Sequence, residues 1–304
     1  MIELFLMSPP GRSWALRGRA NFRSREAPEV DAAAARREWL ALAEAIAAHG
    51  GAVAVLPSPS EELTGMPYAA ECGHVVGGEP GACFLLPRMA AAHRRGEREH
   101  WSRLAVEMGF DVVDPAPEGS VWEAQGDVAE LDGVTLLFFG GRTTRAGMEG
   151  AARHIPGEIL RIEIRQPAFH GNMAVLSLPT AGKLLVCPEV VAGDGMALLE
   201  HRFGADRLLH VTEAEIRSYA TNGLPVGATV LAPSILPDRV AKLLESEGLR
   251  VVLLSMVELC EKAGGASRCL VSRALVDDSF AARIPPGRRL STVAEAMRAE
   301  LTET

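Results

Sequence analysis

Short apolar strands alternate with amphipathic helices from one end of this chain to the other, and no other feature constrains its fold as much. Strand-like runs fall at residues 4–7, 53–56, 83–86, 110–113, 126–131, 134–139, 159–164, 173–178, 183–187, 208–211, 229–231, 250–254 and 269–272. Helical patterns fall at 30–49, 98–109, 147–154, 193–203, 213–220 and 236–247, with a short one at 255–262 and a last one from residue 291. In the first of these, Trp39, Leu40, Leu42, Ala43 and Ile46 recur at helical spacing, and Gly50-Gly51 supplies the stop. Helices return about every 50 to 60 residues with two or three strands between them. No Pro/Ser-rich linker interrupts the series. The pattern predicts one α/β domain over residues 1–304, built from repeated modules. A dinucleotide-binding fold is excluded early, because no Gly-x-Gly-x-x-Gly follows the first strand.

Composition narrows the function. Acidic residues outnumber basic ones 39 to 31, for a net charge of -8, and aromatics make up 5% of the 304 residues. Neither suits a nucleic-acid binder. The longest apolar runs, such as 134–139, are far short of the roughly 18 residues of a membrane span. The first residues lack the basic and apolar stretches of a signal peptide. Five cysteines (Cys72, Cys83, Cys187, Cys260, Cys269) are an odd number without Cys-x-x-Cys spacing. That argues against a disulfide framework or a zinc knuckle and predicts a reducing, cytoplasmic setting. Each Cys is then core filler or a nucleophile. The sequence leaves the oligomeric state open, with a homodimer compatible.

Three polar islands interrupt apolar or Gly-rich text. Glu123-Ala124-Gln125-Gly126-Asp127 places two carboxylates at a strand entry; taken alone it reads as a solvated turn. Phe169-His170-Gly171-Asn172 places a His at a strand mouth; taken alone it reads as a core or turn histidine. Gly264-Gly265-Ala266-Ser267-Arg268-Cys269 presents a Cys from a Gly turn; taken alone it reads as a buried thiol. Together they supply what thiol catalysis needs: a nucleophile, a base and an orienting carboxylate.

This ordered set resembles the motifs of the guanidino-group modifying enzyme superfamily, which includes arginine deiminase, dimethylarginine dimethylaminohydrolase, arginine dihydrolase and the amidinotransferases. The likeness runs from Met1 to about Asp278. It implies the pentein fold, an α/β propeller of about five ββαβ modules around a pseudo-fivefold axis. It implies Cys269 as nucleophile, His170 as general acid and base, and Glu123 as the partner of His170, with Asp127 the alternative. Glu71, Glu123 and Asp127 are the carboxylates expected on the substrate guanidinium. Asn222 falls where many members carry an Asn ahead of a strand. Arg88 and Arg145 resemble arginines that hold a substrate carboxylate; the competing reading for both is a surface ion pair. Asn172 departs from the family's frequent His-x-Asp, which puts free arginine as substrate in doubt. The chemistry implied needs no metal or organic cofactor, and the partner implied is a small guanidino compound. A hydrolase is the leading reading, an amidinotransferase the second, and a non-catalytic binding protein of the same fold the third.

Overall fold

The computed structural model describes residues 1–17, 22–78 and 81–302. Its strands form five three-stranded sheets. The chain begins with β1 (Ile2–Met7), crosses through α1 (Ala32–Ala48) and returns as β2 (Ala52–Val55), parallel to β1. Four ββαβ modules follow. They are β3 (His74–Val76), β4 (Cys83–Leu85), α2 (Glu97–Glu107) and β5 (Asp111–Val113); β6 (Val128–Leu131), β7 (Val134–Phe139), α3 (Arg145–Ala152) and β8 (Glu158–Glu163); and β9 (Val175–Leu178), β10 (Lys183–Val186), α4 (Gly195–Phe203) and β11 (Leu208–His210). After the single turn α5 (Glu213–Ile216) comes the fifth, with β12 (Leu224–Val226), β13 (Thr229–Pro233), α6 (Asp238–Ser246) and β14 (Arg250–Leu254). Strand β15 (Ser272–Val276) then pairs antiparallel with β1 and completes the first module. Helices α7 (Ser279–Arg283) and α8 (Leu290–Thr302) end the chain.

Each module repeats one pairing rule. Its first two strands are antiparallel, and its helix crosses over to a third strand parallel to the second. Local chemistry sets the hairpins. Between β6 and β7, Asp132 and Gly133 both take positive φ (51° and 74°), the conformation of a tight two-residue hairpin loop, for which Asp-Gly is a preferred pair. The central strands read as continuous apolar text because both faces are covered. In β1, Leu4 and Leu6 pack into a cluster with the second module, while Phe5 and Met7 pack with α1 and the fifth. Other apolar clusters join the second module to the third, and the third to the fourth and fifth. Among the described residues no helix is long and apolar enough to cross a membrane.

Several boundaries differ from the sequence reading. The run at 269–272 is not a strand: pairing starts at Ser272, and Cys269 sits in the preceding turn. Residues 124–127 coil into a tight helical turn before β6. The helix expected over 213–220 closes after one turn, although Thr212 and Glu215 form a full capping box at its start. Strands β3 and β12 have no counterpart in the sequence reading. Each is three residues long, too short to show a period.

The segment entering β9 leaves no room for a side chain at Gly171. A Cβ there would stand 2.2 Å from the buried Phe138 ring and 2.8 Å from its Cβ. Gly171→Ala should therefore lower stability by about 1–3 kcal/mol. A urea titration of both proteins measures this, and equal midpoints would contradict the packing described.

Candidate active site

In every module the chain changes from irregular to extended just before the first strand of the hairpin, and these entries carry the polar islands. Glu71 precedes β3, Glu123 and Asp127 precede β6, His170 and Asn172 precede β9, Asn222 precedes β12, and Cys269 precedes β15. All seven are buried. The repeat thus delivers one or two functional groups per module to a shared place.

The acid turn is shaped by two backbone features. Ala124 holds a left-handed conformation (φ 49°), unusual for a residue with a Cβ. Gly126 lies flat against the imidazole of His170, since a Cβ on it would stand 3.2 Å from three ring atoms. Across this contact His170 Nε2 meets Glu123 Oε2 at 2.6 Å. Glu123 is oriented further by the Ala90 N–H, which donates to its Oε1 at 2.9 Å. Burial alone pushes the Glu123 carboxyl upward. The His170 bond and charge, with Arg142 at 3.5 Å, outweigh it and hold the group well below the usual carboxylate range. Asp127 has another duty. It accepts from the Thr143 hydroxyl at 2.6 Å and from the Gly171 N–H at 2.7 Å, tying the acid turn to the histidine turn. Burial raises its pKa to about 6. Glu123, not Asp127, therefore holds the imidazole.

The second ring nitrogen, Nδ1, makes no hydrogen bond and stands 3.3 Å from Glu71 Oε1. Glu71 in turn packs its Oε2 on Arg94 Nη1. Arg94 is itself held from behind: its Nε and Nη2 donate to Glu97, and Nη2 also donates to the Gly65 carbonyl at 2.9 Å. Glu71 is thus flanked by a resident guanidinium as well as by the histidine.

Cys269 is 4% exposed and unpaired with any other cysteine. Its N–H donates to Asn222 Oδ1 at 3.2 Å, and Asn222 Nδ2 donates to the Asn172 carbonyl at 3.3 Å. Asn172 Nδ2 lies 3.8 Å from Sγ, within reach for a sulfur acceptor. The two asparagines thus join the histidine turn to the cysteine turn. Burial pushes the Cys269 thiol up, opposed by Asn222 and by the charge of Arg268. A cavity of about 380 Å³ opens over this assembly, with Cys269, Glu71, Tyr68, Phe169, Arg94 and Arg142 in its wall and Arg17 and His93 contributing further positive or polar surface.

Two of the expected residues lie elsewhere. Arg88 pairs with Asp114 at 2.7 Å, and Arg145 stands 3.7 Å from Glu163 with its guanidinium over the Phe139 ring. Neither lines the cavity, and both make the surface ion pairs of the competing reading. The arginines that do line it, Arg17, Arg94 and Arg142, are not among those the sequence singles out. Arg142 was within reach, three positions before Arg145 in the same Gly-Gly-Arg-Thr-Thr-Arg run. Of the expected residues only Glu71 and Cys269 are in the wall; Glu123, Asp127, His170, Asn172 and Asn222 stand behind it, and their hydrogen bonds are with the protein. Glu71, Glu123 and His170 also form a cluster of metal-ligand type, their nearest atoms within 4.8 Å. The Glu123–His170 bond and the Arg94 contact already occupy donors of that set.

No protein-family profile and no curated protein sequence matches this chain. Solved structures do. The N-terminal domain of ArgZ, an arginine dihydrolase from the ornithine-ammonia cycle in cyanobacteria, bound to its substrate, superposes with a TM-score of 0.82 at 20% identity, over 90% of this chain and 98% of that one. AgrE without ligand gives 0.81 at 22% identity over 91% of this chain, which spans 40% of AgrE's length. A dimethylarginine dimethylaminohydrolase variant carrying an adduct with S-methyl-L-thiocitrulline gives 0.68 at 19% identity, over 90% and 100%. The five sheets of this chain, its module order and these superpositions together identify its fold as the pentein fold of the guanidino-group modifying enzymes.

Proposed function

We propose that this protein is a cysteine-dependent hydrolase of a guanidino compound. The observation that carries the reading is the His170 ring. Glu123 fixes its Nε2, which leaves Nδ1 as the nitrogen available for proton transfer, beside a carboxylate of the cavity wall and on a turn that touches Cys269.

A guanidinium is planar, cationic and a poor electrophile, so the site has to hold it and supply a strong nucleophile. Glu71 faces the cavity and offers charge-assisted hydrogen bonds to its N–H groups. The resting thiol is protonated at neutral pH, because burial raises it, and the arriving cation favours the thiolate. The thiol proton passes to His170 Nδ1, Sγ attacks the central carbon, and a C–S bond forms as the C–N π pair moves onto nitrogen. His170 Nδ1 gives a proton to the departing nitrogen as the C–N bond breaks, and ammonia or an amine leaves. The product of this half is an S-alkylthiouronium on Cys269. In the second half His170 takes a proton from water, the oxygen attacks the same carbon, and the C–S bond breaks to return the thiolate. Glu123 keeps the ring oriented and stabilises its cationic form throughout. Amidino transfer differs in both halves: the substituted nitrogen must be the one that leaves, so that an amidino group stays on Cys269, and an acceptor amine then replaces water. The ArgZ, AgrE and dimethylarginine dimethylaminohydrolase likenesses support the guanidino class.

We read the five modules as blades about one pseudo-fivefold axis within a single catalytic domain. The apolar clusters that link each module to the next, and the fifth to the first, support this. Two separated transitions in the urea titration of the unmodified protein would contradict it.

Cys269→Ser should remove more than 99.9% of turnover of any guanidino substrate while leaving the unfolding midpoint nearly unchanged, since the side chain changes by one atom. Retained activity sinks the mechanism. Release of ammonia or an amine without an added acceptor marks hydrolysis, whereas a strict need for an acceptor marks transfer. The thiol also gives a pH signature. Its pKa is raised above the ordinary 9.0, so alkylation by iodoacetamide should still be climbing at pH 9 in the free protein. A bound guanidinium compound too small to shield the sulfur should move the rise to lower pH. A rate that levels off below pH 8 without ligand would show the thiolate already formed at rest.

A further inference from the structure

We infer that the substrate tail is anionic without a free ammonium group: an ω-guanidino carboxylate or an N-acylated guanidino amino acid, in preference to arginine itself. The inference rests on the guanidine reading above and extends it from the reacting end to the tail.

It follows from the charges that face the cavity. Among the described residues of the wall the acidic side chains number one, Glu71, and the reacting guanidinium needs it. That carboxylate is also engaged by Arg94, which Glu97 and the Gly65 carbonyl hold in place. Behind the wall, Glu123 is committed to His170, and Asp127 to Thr143 and Gly171. Glu71, Glu123 and Asp127 therefore each have a partner before any substrate arrives.

The cations are not so fully matched. Arg142 lies over the Phe169 ring, 4.6 Å from its centre, and touches Glu123 only at 3.5 Å, which leaves most of its donors uncommitted. Arg17 is exposed and forms no ion pair with a described residue. Both line the cavity, and a guanidinium fork suits a carboxylate. An ammonium group brought in beside that carboxylate meets guanidinium charge and, among the described residues of the wall, no unpaired acid. It would have to give up water for weaker carbonyl contacts, and that cost falls on arginine but not on its deaminated or acylated relatives. Agmatine, with an ammonium-bearing tail and no carboxylate, carries the wrong charge altogether.

The test uses the full-length Cys269→Ser protein, which binds without turning over, and titration calorimetry with 4-guanidinobutanoate, N-acetylarginine, arginine and agmatine at one ionic strength. The two acids without an ammonium group should bind at least tenfold tighter than arginine, with agmatine weakest. Adding Arg17→Glu, a change at an exposed position, should weaken 4-guanidinobutanoate at least tenfold and strengthen agmatine. Arginine or agmatine binding as tightly as the two acids overturns the tail inference and leaves the guanidine reading standing. Failure of all four to bind overturns both.

Discussion

The hydrogen bond between Glu123 and His170 organises this molecule's chemistry. At 2.6 Å, and with both side chains fully buried, it settles which imidazole nitrogen is held and which is left to act. Its cost is large, because a buried carboxylate without a cationic or hydrogen-bonding partner is strongly disfavoured. The surroundings offset that cost with the Ala90 N–H, Arg142 and the His170 charge. Loss of either partner would strand the other in a dry interior. The same network carries outward: Asp127 locks the acid turn to the histidine turn, and Asn172 and Asn222 lock the histidine turn to the cysteine turn.

The architecture explains why so few residues are needed. Each module makes one transition from irregular chain into its leading strand, and five such transitions are brought near one another. A side chain placed there projects from a rigid scaffold while its backbone remains free to turn. Positions distant in sequence, such as Glu71 and Cys269, can share one cavity wall for that reason. The fold therefore supplies proximity, and the chemistry depends on which residue each entry carries.

Much of this was readable before any coordinates. The alternation of short apolar runs and helices gave the α/β class, and the three islands around Glu123, His170 and Cys269 stand at the entries where polar groups interrupt apolar text. What escaped has physical causes. Strands of three residues, as in β3 and β12, are shorter than any detectable period. The turn at 124–127 looks extended in sequence because nothing in Ala124 announces a left-handed backbone. Arginines are the hardest group, since a long flexible side chain can reach a cavity or a surface acid from nearly the same backbone position. Arg142 and Arg145, three residues apart, do one each.

The central claim is that a guanidinium carbon becomes bonded to the Cys269 sulfur, and rapid acid quenching during turnover followed by peptide mass spectrometry tests it most directly. The reading predicts a mass increase equal to the substrate less its departing amine, confined to the peptide that contains Cys269 and absent in Cys269→Ser. Turnover with no adduct on that peptide, or with the adduct on Cys72, Cys83, Cys187 or Cys260, would contradict it.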